Sequence, residues 1–441
     1  MPTRERIARI FTLALPIIGG MLSQNVMNLV DTAMVGRLGT SALAAVGIAS
    51  FANFVSQAFI MGLATGVQAM AARRMGEKRF SEQALPLNGG LLLAASIGLP
   101  ISLLLFSLAP SIFPYLNEDA TVIEQGVPYW QARLTAVAAV GMNFAFRGYW
   151  NGVNLSRLYM RTLIAMHILN IVLSYGLIFG KLGLPAMGTL GAGLGTALAT
   201  WAGTATYFVL GWRHARKEGF LSRMPQPNTL RRLLRLSLPT GIQQLFFASG
   251  MLLLSKIVGM VGTAELAASH VLIQLMLVAI LPCIGFGLSA ASLVGQALGR
   301  KDTDDAAQWG WDVAKVGAIL LVFFGLPMVA IPDAILSILT DDATTRAVAR
   351  LPLQIFAATA FIEALRLVLQ HCLLGAGDTR RVMLVSVGLQ WGFFLPAAYL
   401  IGPVMGYGLD EIWVIQVFYS LFQASLFALM WKRRRWASID M

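Results

Sequence analysis

The chain has little of what catalysis and metal binding usually require. Among its 441 residues only two are cysteine and four are histidine, and 12% are charged, against about 25% in a soluble domain. Cys283 and Cys372 stand in apolar surroundings without metal-ligand spacing, which predicts two buried small hydrophobic side chains. The H-E-x-x-H, G-x-S-x-G and Walker patterns are also absent from the sequence. We therefore expect neither an enzyme nor a bound cofactor or metal.

The sequence is rich in long apolar runs. Hydrophobic residues make up 57% of the chain, and the mean hydropathy is +0.70. About 20 apolar residues cross a bilayer as a helix, and the chain supplies many such runs. The net charge of +12 does not indicate nucleic-acid binding, because no basic stripe is interleaved with aromatic residues. The sequence predicts an all-α polytopic membrane protein.

Twelve transmembrane helices can be counted, and the basic residues orient them. Of the 33 lysines and arginines, 25 fall in loops and ends on one side of the predicted membrane, which predicts cytoplasmic N and C termini. The predicted spans cover residues 10–35, 42–70, 87–111, 126–147, 160–180, 186–211, 233–258, 265–296, 311–332, 348–372, 382–403 and 409–431.

The second half of the chain repeats the first at a constant offset of 223 residues. The offset aligns Pro16 with Pro239 and six pairs of glycine residues. Six spans in each half make two parallel repeats, an architecture in which transporters place the substrate site between the repeats. We expect an N-lobe at 1–212, a cytoplasmic linker at 213–232 and a C-lobe at 233–441. Because one chain already holds both lobes, a monomer is sufficient.

One acidic residue, Asp31, stands inside the first predicted span. Gln24 and Asn28 precede it at helical spacing, so the three side chains share one face. A polar stripe within a span should face protein or water rather than lipid, which makes these residues candidates for a site. Two placements of the acid stay open. It can pair with Arg37 near the membrane surface, or a bend at Pro16 can bring it deeper.

Other polar residues inside the spans are weaker candidates. Asn53 and Gln57 form a one-turn pair in the second span, Asn170 and Ser174 form another in the fifth, and Thr196 begins a threonine stripe in the sixth. Each such residue, taken alone, more often holds helices together than forms a site.

The second half has ionisable residues of its own. Glu363 and Arg366 are i, i+3 neighbours in the tenth span, and both a self-neutralising structural pair and a second ionisable site fit them. His270, in the eighth span, can be a hydrogen-bonded core histidine or a proton relay. Glu363 and His270 are therefore candidates for a second ionisable site.

Seven segments of the sequence resemble the MATE family of multidrug and toxic compound extrusion transporters. They lie in order in both halves and cover almost the whole chain, and the most specific parts are "VDTAMVG" and "LLGAGDTR". The segments are "LALP" (13–16), "LVDTAMVGRLGTSALAAVG" (29–47), "MAARRMGEKR" (70–79), "GAGLGTALAT" (191–200), "ELAASH" (265–270), "VGQALGRKD" (294–302) and "LLGAGDTR" (373–380).

The resemblance implies twelve helices in two pseudo-symmetric lobes. It also implies export of amphiphilic, often cationic, compounds in exchange for H⁺ or Na⁺. Asp31 would be the coupling carboxylate, with Asn170 and Thr196 as its polar partners. Ser174 stands where certain family members carry another acid, and Glu363 falls where another branch has an aspartate.

The residues together favour an ion site in the first lobe. The family members that carry an aspartate at the position of Glu363 also carry a glutamate in the seventh helix. In this sequence the residues near that position, Phe247 and Ala248, are apolar, which speaks against an ion site in the second lobe. An all-oxygen group in the first lobe could take a proton or hold Na⁺ weakly. Its expected members are Asp31, Asn170, Ser174 and Thr196. The residues expected to line or gate the substrate cleft are Gln24, Asn28, Pro16, Asn53 and Gln57.

Three functions are compatible with these features. The first is a secondary antiporter of small amphiphilic molecules, working by alternating access in the bacterial cytoplasmic (inner) membrane. The runner-up is a flippase of a lipid-linked envelope precursor, which would favour a basic cavity with a lateral opening to the lipid. The third, a receptor or scaffold without transport, does not require tandem lobes. We expect the first, with membrane lipid around the protein.

Overall fold

The protein is described by a computed structural model over residues 2–439, and it is helical with no strand in that range. Seventeen α-helices follow one another along the chain. They are α1 (Arg4–Gly36), α2 (Thr40–Met61), α3 (Leu63–Gly76), α4 (Leu85–Ile112), α5 (Ala120–Leu134), α6 (Val137–Gly152), α7 (Ser156–Phe179), α8 (Gly188–His214), α9 (Pro227–Val261), α10 (Thr263–Gly299), α11 (Thr303–Ala330), α12 (Pro332–Leu336), α13 (Ala343–Ala358), α14 (Ala360–Gly375), α15 (Thr379–Leu389), α16 (Leu395–Tyr399) and α17 (Leu409–Lys432).

Each predicted span falls on one long helix or on consecutive helices. Nine helical segments of the described chain are long and apolar enough to cross a membrane, and the pair α13 and α14, bent by 56°, makes a tenth. The remaining predicted spans, 126–147 and 186–211, fall on α5–α6 and α8, where polar and small side chains lower the hydropathy. The all-helical class predicted from the apolar runs is confirmed.

One compact unit comprises Gly19–Gly241 and contains the second half of α1, helices α2 to α8 and the start of α9. Aromatic rings fill part of its core. The ring of Phe146 lies 5.3 Å from that of Tyr207 and 6.2 Å from that of Trp150, centroid to centroid. All three side chains are fully buried, so they stabilise the contact of α6 with α8.

The other unit comprises Met1–Ile18 and Ile242–Met441. The start of α1 is fixed there by Arg6, whose Nη1 lies 2.7 Å from Asp305 Oδ1 and whose Nε lies 2.6 Å from Asp312 Oδ2. Its guanidinium carbon also lies 3.7 Å above the ring of Trp309. Two acids of α11 therefore neutralise this basic residue. The unit limits fall inside α1 and α9, whereas the predicted lobes of the repeat meet at the linker 213–232.

The repeat found in the sequence is also present in the backbone. Lys78 and Lys301, which the offset pairs, have φ angles of 60° and 61°. Gly183 and Gly406, another such pair, both have φ of 76°. Left-handed backbone is uncommon for residues with a side chain, so its recurrence at equivalent lysines shows that both halves make the same turn.

Two paired glycines mark very close helix contacts. A Cβ atom on Gly375 would lie 2.4 Å from the carbonyl oxygen of Ala291, and one on Gly152 would lie 2.9 Å from that of Gln68. The 223-residue offset pairs Ala291 with Gln68 as well. Because the obstructing atoms belong to the backbone, a small shift of a side-chain tip cannot relieve the clash.

We expect Gly375→Ala to destabilise the protein by about 1–3 kcal/mol, the usual cost of overpacking a rigid contact. Gly152→Ala should cost less, because its contact is longer. Thermal unfolding of the purified variants in detergent measures both effects. Gly388→Ala is the matched control, since nothing lies within 4 Å of the added atom. Unfolding of Gly375→Ala at the wild-type temperature would contradict this account of the contact.

Candidate functional site

The acid of the first span lies against a polar side chain of the fifth. Asp31 is partly buried on α1, and Asn170 of α7 is 1% exposed. With its amide nitrogen turned to the acid, Asn170 donates to Asp31 Oδ1 at 3.1 Å and to Oδ2 at 3.3 Å. Its oxygen then accepts from the backbone nitrogen of Thr196 at 3.3 Å and from Thr196 Oγ1 at 2.9 Å. The structure therefore joins α1, α7 and α8 through three of the predicted site residues.

With its nitrogen toward Asp31, the amide of Asn170 pairs donors with acceptors on both sides, whereas in the reverse orientation its nitrogen faces the backbone N–H of Thr196 at 3.3 Å. In the reverse orientation its nitrogen donates to Thr196 Oγ1 at 2.9 Å, and Thr196 Oγ1 donates to the Ala192 carbonyl oxygen at 3.0 Å. The amide oxygen then faces the carboxylate of Asp31. Two acceptors in contact require a hydrogen between them, so this orientation suits a protonated acid and the first suits an ionised one.

Asp31 does not bond to Arg37. Over residues 2–439 no ion pair joins Asp31 to any lysine or arginine, and Arg37 is exposed. The positive charge of Arg133 on α5 acts on the carboxylate from a distance. That guanidinium donates to Tyr129 Oη at 3.2 Å. The carboxylate is thus held by a neutral amide, and its charge is not cancelled by a fixed cation.

Ser174 lies one turn beyond Asn170 on α7 and is fully buried. Its Oγ has no hydrogen-bond partner among the described residues, so it is not bonded to Asp31. It packs against α8 instead, since a Cβ atom on Gly195 would come within 2.6 Å of this oxygen. Of the predicted group, Ser174 is therefore the residue that the structure leaves outside the hydrogen-bonded set.

The polar stripe of α1 continues away from Asp31 toward a histidine. Gln24 Nε2 donates to Asn28 Oδ1 at 3.1 Å, and Gln24 Oε1 lies 3.0 Å from His167 Nε2. Ser23 Oγ lies 2.9 Å from His167 Nδ1. His167 is 3% exposed and was not among the predicted site residues. Its position three residues before Asn170, on the same face of α7, is the signal that could have identified it.

The other residues predicted for the cleft are not hydrogen-bonded to this group in the described part of the chain. Asn53 and Gln57 are buried on α2, where Asn53 Oδ1 and Gln57 Nε2 lack partners among the described residues. Pro16 is buried in the half of α1 that belongs to the other compact unit. Hydrogen bonds in the described chain do not connect any of the three to Asp31.

The predicted second-site residues are not brought together. Arg366 donates to Glu363 Oε2 from Nε at 2.9 Å and from Nη2 at 2.6 Å, and Ser420 Oγ donates to Glu363 Oε1. Arg366 Nη1 also donates to Gln423 Oε1 at 2.9 Å. His270 is exposed on α10 and makes no hydrogen bond to this group in the described range. The geometry of Glu363 is that of a buried ion pair with both oxygens bonded.

Comparison with known proteins identifies related chains over nearly the full length. A probable multidrug resistance protein NorM of Synechococcus sp. is 27% identical over 427 residues, which cover 94% of this chain and 91% of the relative. A probable NorM of Pseudomonas aeruginosa is 28% identical, covering 93% and 86%. These relatives are described as multidrug resistance proteins.

Solved structures share the fold. The outward-facing conformation of a multidrug resistance MATE family transporter of the MOP superfamily superposes with a TM-score of 0.88 at 20% identity, over 97% of this chain and 95% of that one. A mutant of the Vibrio cholerae MATE transporter VcmN gives a TM-score of 0.89 at 18% identity, over 97% of each chain.

The sequence profile named MatE matches twice, at residues 16–176 and 239–400. The two matches begin 223 residues apart, which is the offset of the repeat, and together they cover most of the chain. The profile therefore recognises each half of the repeat separately. The chain belongs to the MATE family, as a multi-pass transporter of the bacterial inner membrane.

Proposed function

We propose that this chain is a secondary antiporter that exports amphiphilic, often cationic, small molecules in exchange for H⁺ or Na⁺. It would work by alternating access, as a monomer and without a cofactor. The observation that carries the proposal is the contact of Asp31 with Asn170, a carboxylate inside a span held by a neutral amide. A carboxylate in that environment can bind or release a proton, and so change its charge, without breaking an ion pair.

The reversible amide favours H⁺ as the coupling ion. When Asp31 is ionised, the amide nitrogen of Asn170 donates to it. When Asp31 is protonated, its hydroxyl can donate to the amide oxygen, and the amide nitrogen then donates to Thr196 Oγ1. Hydrogen bonds are thus made in both states, whereas a sodium ion would need several oxygens turned inward together. Ser174 Oγ, which packs against α8, does not support such a set.

The charge change supplies enough free energy to bias a conformational equilibrium. Neutralising a carboxylate alters the cost of keeping it from water by several kcal/mol. A membrane potential is worth about 2.3 kcal/mol per charge per 100 mV. One net charge moved inward would therefore support roughly a 50-fold substrate gradient per 100 mV, because about 1.4 kcal/mol corresponds to a tenfold ratio.

The coupling ion can be separated experimentally in proteoliposomes. We expect efflux of a lipophilic cation after a pH step at constant Na⁺, and little after a Na⁺ step at constant pH. The lipid vesicles without protein set the background. Efflux driven by the Na⁺ step alone would assign the site to sodium. Movement of a lipid-linked pyrophosphate without efflux of any amphiphile would replace the antiporter by the flippase.

A further inference from the structure

We propose that His167 is a second proton-binding side chain of the transport cycle. Its proton is released together with that of Asp31 when a cationic substrate binds. This inference rests on the proposed antiport function and extends it. The ring of His167 on α7 is buried between two residues of α1. Its Nδ1 lies 2.9 Å from Ser23 Oγ, and its Nε2 lies 3.0 Å from Gln24 Oε1.

The partners of the ring can serve both of its protonation states. Ser23 Oγ also lies 2.8 Å from the Gly20 carbonyl oxygen, to which it can donate. When Ser23 donates to Gly20, its oxygen accepts from Nδ1–H while Gln24 Oε1 accepts from Nε2–H, and the ring is a cation with both N–H groups bonded. When the Ser23 hydroxyl turns to donate to Nδ1 instead, the ring is neutral and keeps both bonds.

Only the rotation of one hydroxyl separates these two networks. A neutral histidine that only joins helices needs one partner that donates to it and one that accepts from it. Here the Gln24 amide is oriented by Asn28, to which its nitrogen donates at 3.1 Å, so its oxygen is fixed toward the ring as an acceptor. The site therefore offers an acceptor at one nitrogen and a reversible partner at the other.

No fixed charge compensates the ring in either state. Both of its contacts are neutral side chains, and across residues 2–439 no ion pair includes His167. The elements packed around the ring are α6, α7, α8 and the part of α1 from Gly19 onward, and their other ionisable side chains are Asp31, Arg147, Tyr149, Arg157, Tyr159, Arg161, Tyr175, Tyr207, Arg213 and His214. Asp31 is the one acid in that set, two helical turns beyond Gln24 on α1.

The repeat shows that the helix contact does not require these polar groups. The offset places Gln390 at the position of His167, Phe247 at that of Gln24 and Leu254 at that of Asp31. In that half Gln390 Nε2 donates to the backbone carbonyl oxygen of Phe247 at 3.4 Å. The equivalent helices thus contact each other without a titratable side chain, and histidine and aspartate stand at these positions in the first half alone.

The two groups respond to a cationic substrate in the same direction. A cation near this unit is attracted by an ionised Asp31 and repelled by a protonated His167. Both interactions favour the deprotonated form of the side chain, so binding the cation should release both protons. Each proton released makes the apparent affinity change up to tenfold for each pH unit.

Binding of ethidium to the purified protein in detergent, measured by fluorescence anisotropy from pH 5.5 to 8.5, tests this inference. As the pH rises through the range in which both groups are protonated in the free protein, we expect the wild-type dissociation constant to fall by up to about 100-fold per pH unit. For His167→Gln we expect a fall of about tenfold per pH unit. Glutamine keeps a hydrogen-bonding side chain at the position but cannot take up the proton. His214→Gln, at the exposed end of α8, is the matched control and should behave as the wild type.

Parallel measurements separate this inference from the proposed function. If Asp31→Asn lowers the slope and His167→Gln leaves it unchanged, His167 does not bind a coupled proton and the antiport proposal stands. A wild-type constant that does not vary with pH would overturn both. Ser23→Ala gives a second route if His167→Gln does not fold. Without the hydroxyl the charged ring loses an acceptor, which costs more than the loss to the neutral ring, so the midpoint should move to lower pH.

Discussion

Replacing Asp31 by asparagine is expected to abolish ion-driven efflux while the protein still folds. The amide is close in shape to the carboxylate and can still hydrogen-bond to Asn170, so the contact of α1 with α7 should survive. It cannot lose and regain a charge, however, and the several kcal/mol that would bias the two conformations are lost. Transport in proteoliposomes should fall on the order of 100-fold, to the level of vesicles without protein.

An aspartate on the protein surface provides the control for this substitution. Asp341→Asn makes the same chemical change at an exposed loop position and should leave efflux unaltered. Substrate binding by Asp31→Asn, measured on the purified protein, should persist with a weaker dependence on pH. Ion-driven efflux by this variant at the wild-type rate would remove Asp31 from the coupling mechanism and leave the contact with Asn170 as packing alone.

The fold could be predicted from the sequence because two of its signals are local. Apolar runs specify spanning helices, and the constant offset specifies two equivalent halves, which the matched φ angles of Lys78 and Lys301 confirm. The division of α1 between two compact units at Ile18 could not be predicted in this way. Hydropathy shows that a helix is buried or in lipid, but it does not show which bundle each half of the helix contacts.

The site could be predicted only in part, for a related reason. The stripe of Gln24, Asn28 and Asp31 has helical spacing, so it is visible in one segment of sequence. The partners of that stripe come from α7, about 140 residues away in the sequence. Asn170 is a weak candidate from its own helix, and only the family resemblance predicts it as a partner of Asp31. His167 had no such support, and its bond to Gln24 is a tertiary contact. The spacing of His167 from Asn170 places both on one face of α7, but it does not show which residue of another helix the histidine contacts.

Removing the arginine of the buried pair is expected to destabilise the protein strongly. The side chain of Glu363 is 5% exposed, and two of its hydrogen bonds come from Arg366. Arg366→Leu would leave the carboxylate buried with Ser420 as its remaining partner. Breaking one side of a buried ion pair usually costs about 3–5 kcal/mol, because the remaining charge is uncompensated. Thermal unfolding in detergent should show a large decrease in the midpoint.

The double variant Glu363→Leu/Arg366→Leu decides between the two roles predicted for Glu363. If the pair is structural, removing both charges together should restore most of the stability that Arg366→Leu loses, because no charge is left buried. Ion-driven efflux should then be retained, since the proposed coupling group in the other half is untouched. A double variant that folds as the wild type but no longer couples efflux to the ion gradient would instead make Glu363 a second ionisable site. The comparison is informative in either direction, because stability and coupling are measured on the same folded protein.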